Sequence, residues 1–151
     1  MAIGTDSTIV FTGTQDTVTS TTSSVADGAY SVSGDITTWT ADDDAPDAAI
    51  TLASTFASAP DVGSVVLLFA RKMNVEGTND DNEPSDNFQH TYLGLFSLDA
   101  VTSEQFCTID ISMQVYKSSS EYDFYIKCMA GQTMSAGWDA YPTPKTLGPH
   151  A

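Results

Sequence analysis

Positive charge is what this chain has least of. Lys and Arg together number 5 against 20 Asp and Glu, for a formal net charge of −15. No cation precedes Arg71, while Asp6, Asp16, Asp27, Asp35, Asp42, Asp43, Asp44, Asp47 and Asp61 all do. Such a surface repels phosphate backbones, which argues against direct nucleic-acid binding. Apolar runs are short, Val65 to Ala70 being among the longest, so no stretch can span a bilayer as a helix. The first residues, Met1 to Asp6, lack the basic and apolar regions of a signal peptide, and Ala2 stands where N-myristoylation needs glycine. These features lead us to expect a soluble protein made in a cytoplasm.

Catalytic residue types are also scarce. The only histidines are His90, inside an expected strand, and His150 near the end. No Gly-x-Ser-x-Gly elbow, His-Glu-x-x-His pair or phosphate loop occurs, and the many carboxylates fall in loops without an apolar pocket to separate their pKa values. No catalytic residue and no cofactor is assigned.

What is present is the vocabulary of strands and turns. Ser and Thr make up about a quarter of the 151 residues, and hydrophobic residues 41%. That length and content suit one domain with a real core. Residues 1–45 are rich in Ser, Thr, Gly and Asp, with light β bursts at Thr8–Thr12, Asp16–Val25 and Ala29–Val32. They are expected to form an arm and edge strands rather than core. Asp42 to Pro46 is a turn signal.

From Asp47 alternation is clear. Ile50, Leu52, Ser54 and Phe56 alternate with Thr51, Ala53 and Thr55, as a half-buried strand requires. After the Pro60-Asp61-Val62-Gly63 turn, Val65 to Ala70 is apolar on both faces and is expected to be central or covered on both sides. His90–Leu98 reads as a strand with Tyr92 and Phe96 on the face opposite Leu93 and Leu95. Phe106–Tyr116 and Tyr122–Cys128 are expected to form a hairpin about Ser118-Ser119-Ser120. That pairing sets Cys107 and Cys128 about four positions apart at ~3.3 Å per residue, too far for a disulfide, so both are expected as free thiols filling core space. A last strand from Gln132 to Tyr141 is expected to stop at Pro142-Thr143-Pro144, leaving 143–151 as a loose tail. The fold class is all-β: a two-sheet antiparallel sandwich over 46–142, for which the jelly roll is a candidate topology, with an extended N-terminal arm.

Two features point beyond the core. The loop from Glu76 to Asn87 concentrates oxygen ligands that suit calcium, with Asp80, Asp81, Glu83 and Asp86 as candidate ligands. It misses the glycine and glutamate register of an EF-hand and reads first as a solvated loop, so no metal is assigned. The aromatics Trp39, Tyr92, Tyr116, Tyr125 and Trp138 could stack on sugars or serve as core and subunit contacts. For Trp138 the latter is preferred, and Ile9, Phe11, Trp39 and Trp138 are the interface candidates.

An ordered series of short motifs carries a resemblance. Ala57-Ser58-Ala59-Pro60 leads through Gly63 into an apolar strand and then Val75-Glu76-Gly77-Thr78-Asn79. After an acidic insert come Tyr92-Leu93-Gly94-Leu95-Phe96, Ala100-Val101-Thr102, Asp123-Phe124-Tyr125-Ile126-Lys127 and Gly131-Gln132-Thr133-Met134. From Asp47 to about Tyr141 the chain resembles small virion proteins of tailed bacteriophages. It departs from them at Ser118-Ser119-Ser120, where a Pro/Gly turn is expected, and residues 1–45 lie outside the match. The resemblance implies a β-sandwich structural component, with no catalytic residues to carry over. As a capsid decoration or cement protein it would bind the major capsid protein as a trimer or dimer on the particle surface and stabilise the shell. As a tail-tip or fibre module it would bind host-surface carbohydrate. The short acidic chain without fibre repeats favours decoration. A secreted carbohydrate-binding module would need an export signal or a parent enzyme.

Overall fold

In the computed structural model, the described residues are 7–11, 15–37, 39–41, 47–74, 80–89, 91–112 and 120–149. They contain no helix. Eight strands run in chain order: β1 (Ser7–Phe11), β2 (Trp39–Ala41), β3 (Asp47–Ser54), β4 (Val65–Lys72), β5 (Tyr92–Ser97), β6 (Gln105–Ser112), β7 (Ser120–Met129) and β8 (Asp139–Pro149). All pairings among them are antiparallel.

The strands form two four-stranded sheets, ordered β1-β8-β3-β6 and β2-β7-β4-β5. Consecutive strands fall mostly in opposite sheets, and the first and last strands are neighbours. That order, eight strands as two sheets of interleaved Greek keys, is the jelly roll. The core lies between the sheets. Val66, Leu68 and Ala70 of β4 with Phe124, Ile126 and Cys128 of β7 face Ile50 and Leu52 of β3, Ile111 of β6 and Ala140 of β8. Each set occupies alternate positions, so period-two alternation alone sorts core from surface.

The structure corrects three sequence expectations. First, β6 and β7 do not form a hairpin. β6 pairs with β3 and β7 with β4, so the two apolar stripes lie in opposite sheets instead of side by side in one. Cys107 stands opposite Leu52 and Cys128 opposite Val66, in different sheets. Both thiols are free; Cys128 is fully buried and Cys107 half-buried. Burial pushes the Cys128 thiol above its ordinary pKa. The expected turn at Ser118 and Ser119 lies outside the described residues.

Second, the closing strand does not stop at Pro142. It continues to Pro149, pairing with β3 as far as Lys145 and with β1 from there on. The prolines are tolerated because of which way their backbone faces. The Pro142 carbonyl accepts from the Asp16 N–H at 2.9 Å, so this residue's backbone polar groups point away from β3. Pro144, two positions on, shares that orientation, and no β3 hydrogen bond is lost at either.

Third, residues 15–37 belong to the core. Val18, Val25 and Ile36 are buried in the same cluster as the strand residues. Their backbone is tied to it as well. Val18 N–H donates to Ala140 at 3.1 Å, Val25 exchanges both bonds with Met134, and residues 28–31 bond β7 between Ile126 and Cys128. The buried carboxylate of Asp35 accepts the N–H groups of Ser23 (3.0 Å) and Val32 (3.2 Å), closing the loop on itself. The expected turn at Asp42 to Pro46 and both histidines lie outside the described residues.

Candidate interaction surface

The sheet β2-β7-β4-β5 has an outer face that is unusually apolar. Register sets three rows of side chains across β7, β4 and β5: Met129–Val65–Ser97, Lys127–Leu67–Leu95 and Tyr125–Phe69–Tyr92. These are the positions of β4 that alternate with its core residues, and the continuous apolar run Val65–Ala70 arises from filling both faces.

In the third row Tyr125 and Phe69 are covered and Tyr92 is half exposed. Phe69 is 1% exposed although it lies outside the central core cluster. Its ring meets Tyr30 at 5.5 Å and Tyr92 edge-on at 5.7 Å, within the range of favourable aromatic pairs. Tyr92 reaches this face because of a bulge. Leu68 pairs with Gly94 but Phe69 pairs with Tyr92, leaving Leu93 as the extra residue. The bulge inverts the alternation, so Phe96 is buried inside while Tyr92 is half exposed outside. The expectation that these two share a face is thereby overturned. Gly94, facing inward, lies so close to the Ile109 Cδ1 atom that a Cβ there would sit at 3.0 Å.

Charge on this face is neutralised internally. Lys127 Nζ bonds Asp86 at 2.5 Å and lies 4.8 Å above the Tyr30 ring. The hydrogen bond from Lys127 holds the Asp86 carboxyl below its ordinary pKa, and the same bond raises Lys127. Arg71 Nε donates to the Asp81 carbonyl at 2.7 Å, and its guanidinium approaches Asp80 (3.5 Å), Glu83 (3.6 Å) and Asp123 (3.9 Å). Asp80 also accepts the Asn74 N–H at 2.7 Å.

The four candidate calcium ligands are therefore split between two cations. Asp80 and Glu83 turn to Arg71, Asp86 turns to Lys127, and Asp81 contributes its carbonyl. No cluster of three or more His, Cys, Asp or Glu side chains able to hold a metal occurs among the described residues.

The interface candidates fare unevenly. Trp138 is 1% exposed in the core, and its Nε1 donates to the Ser23 carbonyl at 2.9 Å. It is therefore unavailable as a subunit contact or sugar platform, because residues 15–37 close over it. Ile9 and Phe11 lie on β1 and Trp39 on β2, both sheet edges, and their side chains lie outside the described residues. Among the described residues, the exposed large apolar side chains include Phe106 (64%), Leu95 (42%) and Met129 (42%). Sequence reading passed over Leu95 and Met129 because each sits in an apolar strand whose opposite face also is apolar.

Among comparisons with known proteins, no protein-family model, no curated protein and no solved structure matches this chain.

Proposed function

We propose that the protein is a non-enzymatic structural subunit of a tailed-phage particle, a capsid decoration or cement protein that binds and stabilises the shell. The observation that carries this reading is the strand order β1-β8-β3-β6 over β2-β7-β4-β5. Eight-stranded jelly rolls are the architecture of many viral coat domains, as well as of lectins and cupins. Three further features support it. The interior is filled by packed side chains, from Trp138 to Val66. The surface carries strong negative charge, which keeps free copies apart before assembly. The apolar side chains on one sheet face suit contact with another protein.

The test is the copy number of this chain per purified particle, relative to the major capsid protein, by quantitative mass spectrometry. Hundreds of copies in a simple ratio to the capsid protein are expected. A handful in multiples of three or six would place it at a tail tip or fibre, and absence from particles would overturn the reading.

A further inference from the structure

The first two rows of the outer face bring Val65, Leu67, Leu95 and Met129 together, with carboxylates at one end and the neutralised Lys127–Asp86 pair at the other. Val65 and Leu67 are half-buried, and Leu95 and Met129 beside them are 42% exposed. Beyond Met129, Asp27 and Asp61 stand on either side of Gly131. Asp27 accepts the Gly131 N–H at 2.8 Å, and the Asp61 carboxylate packs so closely against Gly131 that a Cβ there would displace it. Asp99, exposed, follows β5 at the same end. At the other end of the patch, Lys127 is held by Asp86.

We infer that the Val65–Leu67–Leu95–Met129 patch is a docking surface for a segment of a partner protein that presents apolar side chains flanked by Lys or Arg. Charge decides the occupant. Burying these side chains against a neighbour removes apolar surface from water, which is favourable. A second copy of this chain would bring its own carboxylate rim against Asp27, Asp61 and Asp99, with a net charge of −15 on each side. A basic segment places cations beside those carboxylates and gains in encounter rate and register. This deepens the structural-subunit reading and rests on it for the partner's identity: the segment would belong to a shell protein.

The test uses the full chain with labelled Ile, Leu, Val and Met methyl groups and a short synthetic peptide of alternating Leu and Lys. Saturable shifts are expected at the methyls of Val65, Leu67, Leu95 and Met129. Leu95→Asp on β5 and Met129→Glu on β7, on either side of β4, are each expected to weaken binding at least about tenfold. Phe106→Asp, on the opposite sheet, is expected to leave it unchanged. A peptide with Glu in place of Lys is expected not to bind. Shifts confined to other surfaces, equal binding of the Glu peptide, or movement of these methyls on concentrating the protein alone would each overturn the inference. Counting copies on particles reads the structural-subunit proposal independently, so either can fail while the other stands.

Discussion

Tyr92 meets Phe69 edge-on, with ring centroids 5.7 Å apart, on the solvent side of a sheet whose other side is the main core. The contact exists because the bulge at Leu93 turns one residue of β5 outward. It builds a second, smaller apolar cluster with Tyr30, and Phe69 is its centre. Phe69→Ala is expected to destabilise the protein by about 3 kcal/mol, although the residue is outside the main core. Equilibrium urea unfolding checks this, with Val62→Ala as the near-neutral control, since Val62 is 92% exposed. A cost under about 1 kcal/mol would show that the cluster collapses freely around the gap.

Removing residues 1–20 deletes β1 from the edge of β8 and takes Val18 out of the core. A detachable arm would leave stability unchanged. The expected outcome is instead a loss of at least about 2 kcal/mol, from Val18 burial and the bonds between residues 16–18 and β8. Thermal and urea unfolding of the truncated chain measures it.

Asp35 organises its loop through two backbone N–H groups, those of Ser23 and Val32. Asp35→Ala leaves both without their acceptor in a buried site. The expected cost is about 1–3 kcal/mol. Hydrogen exchange at these two amides is expected to speed up in the variant; unchanged protection would mean that another acceptor replaces the carboxylate.

The Lys127–Asp86 pair carries a pH signature. Asp86 has its pKa lowered from 3.8 by the Lys127 hydrogen bond, so its contribution to stability is present above that value and is lost as pH falls through the lower folded-state value. Lys127 is raised from 10.5 by the same bond, so its contribution is present below that pH and disappears as pH rises through the higher folded-state value. Across the interval between, the stability difference between wild type and Asp86→Asn is expected to be flat and small, because the Asp86 side chain is 76% exposed and screened by solvent. It is expected to vanish in acid. Urea midpoints over a pH series test this, and a difference that persists well below the Asp range would sink it.

The two thiols are expected to differ in the native protein. Cys107 is half-buried and reacts first with a thiol reagent, whereas Cys128, fully buried with a raised pKa, reacts only on unfolding. After denaturation without reductant both label. Labelling of neither would mean a bridge between the sheets.

Much of the site was written in the sequence, but in a form that local reading could not decode. The apolar run Val65–Ala70 announces a strand that is central or covered on both sides, and β4 is central, flanked by β7 and β5. The run does not say which face belongs to the core. That follows from Phe69 lying opposite Tyr125 and Tyr92, a pairing made by residues more than twenty positions away. The bulge at Leu93 is equally silent, since Gly94 in an alternating strand announces flexibility but not which neighbour becomes the extra residue. Likewise the acidic loop is visible as composition, while its division between Arg71 and Lys127 depends on where the folded chain returns.

The sequence by itself determined that this chain makes strands, where most of them lie, and which side chains share a face along a regular stretch of strand, because a period of two is a property of each strand alone. Only the tertiary structure decided that β6 and β7 lie in opposite sheets, that β8 runs through two prolines, and that Val18, Val25 and Ile36 join Trp138 in the buried core. The physical reason is common to all three. A strand's hydrogen bonds and its apolar face are satisfied by any partner of matching register, so the choice of partner lies in long-range packing rather than in the strand's own residues.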